Sequence, residues 1–527
     1  MKELTIDELF EEKRFAPTAE QTAILEAAKS SSKSLMIEAF AGCSKTSTIE
    51  ILGRSLPVRP SVYVVFNKRN KVEAEERFKS LDSPWAWMGR ADHINVVTAN
   101  GLGHNAWAKA TGRRLILNDK KLFMILKRIL EDEKERDFDR DHFVNTLSLV
   151  RRARVAGLIP SQLDKKGLIE DTEENWQEIA RSLWLDEVTE DCFYYAHRTL
   201  LEAIRQSYQG VIDFDDQIYM SALFNGVFPR YPVLYGDEVQ DYSPLNQKQI
   251  ALTAADRLIL VGDHRQAIYA FRGADSESIE SLRNLRKEWI DLPLSTTFRC
   301  PRMVVARQQN HAPGFQAYHT NKEGTVHDWT RREWSITEIP ATEKVAILCR
   351  NNAPLFAAAL RCIKAGRGVT ILGNEIGRGL ITLAKSLAPE TASAEKFLLL
   401  LNAWCERETH KALLNSQEAK ASILSDKAEC LRVVSSGMES LAQIILRLQT
   451  LFEPQNMNIT CSTGHKAKGF EWPTVIHLDP WRIPSKYAQK QALEGNSVNL
   501  EQDKNLLYVI ETRAQNTLIL ANSETMT

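Results

Sequence analysis

The residues best suited to chemistry lie in a loop of small side chains that carries a lysine and two hydroxyl residues. The apolar run SLMIEAF (34–40) leads into AGCSKTST (41–48), and a helical pattern follows. A strand, a small-residue loop, Lys-Thr and a helix form the layout of a phosphate-binding loop, whose backbone N–H groups and helix N-terminus hold phosphates. In that layout Lys45 reaches the β- and γ-phosphates, and Thr46 is a ligand of Mg²⁺. The loop therefore predicts a site for a nucleoside triphosphate with Mg²⁺.

This loop departs from the usual pattern GxxxxGK[ST] at one position. Ser44 stands where the glycine before the lysine is expected, and serine does not adopt a positive φ freely. For the loop alone, the alternative is a tight strand–helix turn that carries a lysine by chance. The residues expected to surround the phosphates are Ala41, Gly42, Cys43, Ser44, Lys45, Thr46 and Ser47.

A pair of adjacent carboxylates follows a second apolar run, PVLYGDEVQD (232–241). Asp237 suits coordination of Mg²⁺ through water, and Glu238 suits the general base that orients the attacking water. Two acids at a strand end also occur as a solvated turn. Because this pair follows a phosphate loop and has Gln240 and Asp241 behind it, the catalytic interpretation is favoured.

Composition limits the class of protein. The 527 residues are too many for one core, and 43% hydrophobic and 26% charged residues are typical of globular domains. No stretch approaches the ~20 apolar residues of a membrane span, and the acidic start MKELTIDELFEEKRF lacks a signal-peptide apolar region. Eight scattered cysteines without a CxxC pair indicate no zinc site, iron–sulfur cluster or disulfide framework, and fit a reducing cytoplasm. With a net charge of −1, any nucleic-acid binding must come from a local groove.

Short β-rich runs alternate with helical patterns, which predicts parallel sheets covered by helices. The expected strands are 34–40, 61–66, 94–98, 232–237, 257–262, 344–349, 474–478 and 517–521. Two regions lack strand signals and are helical in pattern. We therefore predict two α/β domains, each with a helical insertion: residues 1–104 and 206–285 with insertion 105–205, and residues 286–379 and 456–527 with insertion 380–455.

Three further motifs complete an ordered series: VGDHRQAIYAFRGAD (261–275), TGHKAKGFEW (463–472) and NLLYVIETRAQ (505–515). With the phosphate loop and the acidic pair, they make the chain resemble the UvrD/Rep/PcrA family of superfamily 1 DNA helicases. Within this family, the sequence segments AFAG, FNK and GHKAKGFEW most resemble those of the phage and F-box DNA helicase branches. The resemblance implies two RecA-like parallel-sheet domains that use ATP and Mg²⁺ to move along single-stranded DNA.

The resemblance also implies roles for residues around the nucleotide. Gln21 would read the adenine, Phe298 would pack near it, and Glu471 would lie towards the ribose. Gln266 would sense the γ-phosphate, Arg299 would contact it, and Arg513 would be the arginine finger. The implied catalytic set is Lys45, Asp237, Glu238, Gln266, Arg299 and Arg513.

A second set of residues is implied in DNA binding. Tyr269 and Phe271 would stack on bases, as Trp472 would if it is not part of the core. For any one aromatic residue core packing is the more frequent role, and His104 and His465 have a buried, satisfied histidine as their alternative. The full implied set is Asn67, Lys68, Asn100, His104, Tyr269, Phe271, Arg350, His465 and Lys468.

Two functions from different classes remain open at this point. The first is an ATP-driven DNA helicase or translocase, with the 3′→5′ polarity that the resemblance implies, acting on single strands and duplex junctions. The second is a DNA-stimulated ATPase that serves as a binding, remodelling or regulatory module with little unwinding, which Ser44 and the short second insertion favour. A helicase–nuclease is disfavoured, because the sequence ends soon after Arg513. The expected setting is the cytoplasm or nucleoid of a bacterium or phage-infected cell, with replication, repair or phage-encoded partners and no membrane.

Overall fold

The computed structural model describes residues 16–65, 67–133, 138, 140–183, 185, 188–268, 278–414, 417–452, 457–495 and 497–527. These residues divide into two compact units. The first unit holds the described residues of 1–39, 44–264 and 269–295. The second unit holds the described residues of 40–43, 265–268 and 296–527.

The first unit is built on a six-stranded parallel sheet with the order β3-β2-β6-β7-β1-β8. Its strands are β1 (Ser34–Ala39), β2 (Ser61–Val65), β3 (Ile94–Thr98), β6 (Tyr231–Gly236), β7 (Ala254–Gly262) and β8 (Trp289–Leu294). A separate parallel pair joins β4 (Ile116–Leu117) to β5 (Val211–Ile212). Every residue of β2 is buried, as expected for a parallel strand covered by helices on both faces.

Eleven helices among the described residues of the first unit surround this sheet or form its helical insertion. They are α1 (Ala19–Ser30), α2 (Lys45–Ser55), α3 (Lys68–Lys79), α4 (Ala99–Thr111), α5 (Lys121–Asp132), α6 (Arg140–Ala156), α7 (Glu173–Ser182), α8 (Glu190–Tyr208), α9 (Phe214–Leu223), α10 (Pro244–Thr253) and α11 (Ser278–Arg283). Side-chain caps fix several helix starts: Thr98 accepts from the N–H of Gly101 at the start of α4, and Asp213 forms a capping box at the start of α9.

A buried ionic cluster ties the helical insertion to α9. The Lys121 ammonium on α5 donates to Asp216 at 2.6 Å, and the Arg154 guanidinium on α6 donates to Asp213 and Asp216, both at 2.8 Å. Both cations are about 1% exposed. Removal of one partner from such a cluster leaves a buried charge uncompensated, at a cost of roughly 3–5 kcal/mol.

The second unit contains another six-stranded parallel sheet, with the order β11-β16-β15-β12-β14-β13. Its strands are β11 (Thr325–Trp329), β12 (Val345–Cys349), β13 (Val369–Ile371), β14 (Ile459–Thr463), β15 (Trp472–Leu478) and β16 (Ala514–Ala521), and a parallel pair joins β9 (Thr296–Thr297) to β10 (Gln316–Ala317). Its helices are α12 (Arg302–Gln308), α13 (Asn352–Lys364), α14 (Asn374–Leu387), α15 (Ala394–Leu414), α16 (Glu418–Ser435), α17 (Leu441–Phe452), α18 (Gly464–Ala467), α19 (Lys486–Leu493) and α20 (Val498–Glu511).

The predicted α/β class with two parallel sheets is confirmed, and each of the eight predicted strand runs contains a strand. Two details differ from the sequence prediction. Residues 105–205 contain the two-residue strand β4, which is too short to give a sequence pattern. The predicted boundary after residue 285 falls before β8, which pairs with β1 and completes the first sheet; the first unit therefore runs to Ser295. Among the described helices, none has the length and apolar character needed to cross a bilayer.

Candidate functional site

The loop after β1 has the backbone of a phosphate cradle. Gly42 has φ +71°, and Ser44, the N-cap of α2, lies in the left-handed region with φ 58° and ψ 41°. The position therefore uses the conformation that glycine adopts without strain, which explains why a glycine is expected there. The Ser44 side chain makes no capping hydrogen bond, so the first N–H groups of α2 keep the positive end of the helix dipole for an anion.

Lys45 and Glu238 form an ion pair within the first unit. The Lys45 Nζ lies 2.6 Å from Glu238 Oε1, and the side chains are only 14% and 17% exposed. Burial lowers the pKa of Lys45, but the carboxylates of Glu238 and Asp237 outweigh it and the net pKa is raised. The cation predicted to bind phosphate and the predicted base are thus in direct contact.

Asp237 is held by hydrogen bonds on both carboxylate oxygens. Tyr63 donates its hydroxyl to Oδ2 at 2.9 Å, and the N–H of Glu238 donates to Oδ1 at 2.9 Å. Burial, followed by the neighbouring Glu238 charge, raises the pKa of Asp237 to about 6. The Thr46 hydroxyl lies close to the same Tyr63 phenol, so the hydroxyl and the carboxylate predicted as metal ligands share one neighbour.

Glu238 occupies a strained backbone conformation, with φ 50°. Its carboxylate accepts a hydrogen bond from the Gln240 side-chain amide at 2.6 Å, and the Gln240 carbonyl oxygen accepts from the N–H of Asp263 at 3.0 Å. A non-glycine residue in the left-handed region that is fixed by its neighbours is typical of functional sites. Gln240 therefore orients the base and connects it to the end of β7.

The donor set around this loop fits Mg²⁺ and a triphosphate. The candidate ligands, the Thr46 hydroxyl and the Asp237 carboxylate, are both hard oxygen donors of the kind that Mg²⁺ prefers. The Lys45 ammonium and the uncapped start of α2 supply the positive charge that phosphate oxygens require. Gln21 lies beside α2, where its amide nitrogen donates to the Thr48 hydroxyl at 3.2 Å and its carbonyl oxygen accepts from Thr18 N–H at 3.0 Å; its role with adenine stays a prediction.

Within the second unit, the first half of the loop contacts the segment that carries Arg299. The N–H of Phe298 donates to the carbonyl oxygen of Gly42 at 3.0 Å. A Cβ placed on Gly42 would lie 2.6 Å from Arg299 Cβ and 2.7 Å from the Thr297 hydroxyl oxygen. Arg299 in turn donates to the carboxylate of Glu471. Three of the residues predicted around the nucleotide, Gly42, Phe298 and Arg299, are therefore neighbours.

Arg513 follows α20 and is only 2% exposed. Its Nε donates to the carbonyl oxygen of Val509 at 2.8 Å, and a terminal nitrogen donates to the Thr512 hydroxyl at 3.1 Å. Burial raises the pKa of the Cys300 thiol, and the positive charges of the nearby Arg299 and Arg513 oppose this rise. The two predicted phosphate-contacting arginines therefore lie near the same thiol.

Tyr508 is a residue that the sequence reasoning missed. Its hydroxyl accepts a hydrogen bond from the backbone N–H of Ala41 at 2.9 Å, which ties α20 to the small-residue loop. The signal was a polar hydroxyl inside the otherwise apolar run NLLYVI. Tyr63, inside SVYVVF, is a second missed residue with the same kind of signal.

Gln266 and Lys468 lie together in the second unit. The Lys468 ammonium donates to the backbone oxygen of Gln266 at 2.6 Å, and Asn505 donates to the oxygen of Ala267 at 3.1 Å. Lys468, predicted as a DNA contact, thus has a protein partner in the backbone of the predicted phosphate sensor. Gln266 itself is 4% exposed.

The predicted DNA contacts of the first unit fall at two helix starts. Asn67 caps α3 by accepting from the N–H of Asn70 at 2.9 Å, and the neighbouring Lys68 is exposed. On α4, the Asn100 amide donates to Gln217 at 3.0 Å, and Gln217 also lies 3.3 Å from the His104 ring. The structure brings Asn100 and His104 together around Gln217.

The remaining predicted DNA contacts belong to the second unit or lie outside the described residues. Arg350 pairs with the buried Asp503 at 3.0 Å, and His465 lies on the short helix α18. Trp472 is 8% exposed and stacks on Phe470, which agrees with the core-packing alternative. Tyr269 and Phe271 lie outside the described residues.

Comparison with protein families gives two matches along the chain. Residues 20–287 match the model of the UvrD/REP helicase N-terminal domain. Residues 387–525 match the model of the UvrD-like helicase C-terminal domain. The first match alone covers just over half of the chain.

Two relatives of the chain are also named as DNA helicases. The chain is 24% identical to F-box DNA helicase protein 1 of Schizosaccharomyces pombe, over 96% of this chain and 58% of that protein. It is 24% identical to ATP-dependent DNA helicase UvrD2 of Mycobacterium tuberculosis, over 61% of this chain and 53% of that protein. The chain thus spans little more than half the length of these relatives.

Proposed function

Because the chain belongs to the UvrD/REP helicase family, we propose that it is an ATP-driven DNA helicase that moves along single-stranded DNA from 3′ to 5′. The observation that carries this proposal is the Lys45–Glu238 contact at 2.6 Å, next to Asp237 and the uncapped start of α2. This arrangement combines a phosphate-binding cation, a base and metal-ligating oxygens in one unit. The polarity rests on the resemblance of the motifs.

Binding of the substrate ATP begins with the competition for Lys45. Phosphate oxygens accept hydrogen bonds from the start of α2 and compete with Glu238 for the ammonium group. As Lys45 turns to the phosphates, the Glu238 carboxylate is released from its ion pair but keeps its hydrogen bond from Gln240. The same event therefore fixes the substrate and frees the base.

Three kinds of side chain are proposed to act in hydrolysis: a base, the metal ligands and two arginines. Glu238 accepts a proton from the attacking water and orients it towards the γ-phosphorus. Thr46 and Asp237 would hold Mg²⁺, which neutralises charge that develops on the phosphate oxygens. Arg299 and Arg513 are proposed to stabilise the transferred phosphoryl group, the role that arginine fingers have in such sites.

Coupling to DNA is proposed through the Gln266 segment. Gln266 precedes the segment with Tyr269 and Phe271, and its backbone accepts from Lys468. If DNA contacts this segment, it biases the position of the phosphate sensor, so single-stranded DNA should stimulate ATP hydrolysis. Single strands and duplex junctions are the proposed substrates.

The second candidate is a DNA-stimulated ATPase that remodels or binds DNA with little unwinding. Ser44 favours it, since it stands where the phosphate loop of a motor is expected to carry glycine and is held at φ 58°. Unwinding assays on duplexes with 3′ or 5′ single-stranded tails, beside ATPase assays on the same preparation, distinguish the two. Unwinding of the 3′-tailed duplex supports the helicase, and ATPase activity with neither duplex unwound supports the second candidate.

A further inference from the structure

A tyrosine hydroxyl is buried between the two side chains assigned to Mg²⁺. Tyr63 on β2 is 1% exposed, and its hydroxyl donates to Asp237 Oδ2 at 2.9 Å. The Thr46 hydroxyl lies close to the same phenol oxygen. The positions on either side of Tyr63, and Val65, are valines in a strand that is buried throughout, so the phenol hydroxyl lies in largely apolar surroundings within the strand.

We propose that Tyr63 is a positioning residue for the predicted metal ligand Asp237. Its hydroxyl proton occupies one side of Asp237 Oδ2, and the N–H of Glu238 occupies Oδ1, so the carboxylate plane is fixed by a donor on each oxygen. This inference rests on the proposed function and deepens its nucleotide site.

The direction of this hydrogen bond is fixed by its partners. An ionised carboxylate oxygen only accepts, so the Tyr63 hydroxyl is the donor and holds Asp237 Oδ2 in one orientation. A residue that orients metal ligands in this way typically changes metal affinity by about 10–100-fold when it is removed.

Tyr63→Phe removes only the hydroxyl and keeps the ring. Its matched control is Tyr219→Phe, because Tyr219 is fully buried in the same unit and donates its hydroxyl to the carbonyl oxygen of Leu158 at 2.6 Å. Both variants lose one buried hydrogen bond, so both should lose a similar amount of thermal stability. They should differ in metal binding, since only Tyr63 contacts Asp237.

The experiment measures binding of a fluorescent ADP analogue to the full chain, as a function of Mg²⁺ concentration and in excess EDTA. We expect Tyr63→Phe to require about 10–100-fold more Mg²⁺ for half-maximal metal-dependent binding, with affinity in EDTA within about twofold of wild type. Tyr219→Phe should keep the wild-type Mg²⁺ dependence. An unchanged Mg²⁺ dependence in Tyr63→Phe would overturn the proposal.

Two further arms keep the outcome unambiguous. If Tyr63→Phe does not fold, Tyr63→Leu tests the same contact, because it also removes the hydroxyl that donates to Asp237; an unchanged Mg²⁺ dependence there also overturns the proposal. In Asp237→Asn, the additional change Tyr63→Phe should have less effect than in the wild type, since Tyr63 acts through Asp237. If the wild type itself binds nucleotide without Mg²⁺ dependence, the proposed ATP site fails, whatever Tyr63 does.

Discussion

The substitution Ser44→Gly follows most directly from the backbone of the phosphate loop. Ser44 lies in the left-handed region, with φ 58° and ψ 41°, which costs a residue with a Cβ roughly 1–2 kcal/mol. Glycine removes this strain but loses about 0.5–1 kcal/mol more conformational entropy on folding. The net change expected in the free energy of unfolding is therefore a gain between about zero and 1.5 kcal/mol.

The matched control is Ser44→Ala, which keeps the Cβ and therefore the strain but removes the hydroxyl. Because that hydroxyl makes no capping hydrogen bond with α2, the alanine variant should stay within about 0.5 kcal/mol of the wild type. Urea unfolding followed by tryptophan fluorescence measures the stability of both variants. ATPase assays on the same samples should show the glycine variant as active as the wild type or more active.

Two results would refute this reasoning. A glycine variant that is less stable than the alanine variant would mean that strain at Ser44 does not control the loop. If both variants fold but lose ATPase activity, the hydroxyl has a role in phosphate binding that its contacts do not reveal.

Three further predictions concern the rest of the site. Lys45→Ala should lose ATP binding, whereas Glu238→Gln should keep it, lose turnover and stay trapped on DNA, because the first holds phosphate and the second acts in the chemical step; substantial turnover in either contradicts the assignment. Gly42→Ala should destabilise the protein by roughly 1–3 kcal/mol, since its Cβ would lie 2.6 Å from Arg299 Cβ at a φ of +71°; an unchanged melting temperature argues against it. Arg513→Ala should keep ATP affinity within about tenfold but lower turnover by roughly 10³-fold, and near-normal turnover with Arg299 intact would exclude an arginine finger.

The sequence predicted the sheets well because buried parallel strands are nearly continuous apolar runs. β2 and β12 are buried at every position, and both were predicted from their Val, Ile and Leu content. β8 (WIDLPL) contains an aspartate and a proline and lies at the sheet edge, so its pattern does not identify it. The domain boundary placed before it followed from that omission.

The candidate site could be predicted where its functional residues are close together in sequence and form a motif. Lys45 and Glu238 were predicted from two motifs, and the structure places them 2.6 Å apart. Tyr63 and Tyr508 were missed, because a single hydroxyl in an apolar run gives no spacing pattern and its partner is distant in sequence: Asp237 for Tyr63, and Ala41 for Tyr508. Such contacts follow from the fold alone.

The most direct test of the proposed motor is the rate of ATP hydrolysis with and without single-stranded DNA, at several fixed salt concentrations. Salt must be controlled because phosphate contacts make DNA affinity fall steeply as salt rises. The proposal predicts that DNA stimulates hydrolysis by the wild type, most strongly at low salt, and that Lys45→Ala is inactive with or without DNA. A wild-type rate that is indifferent to DNA over the whole salt range would contradict it.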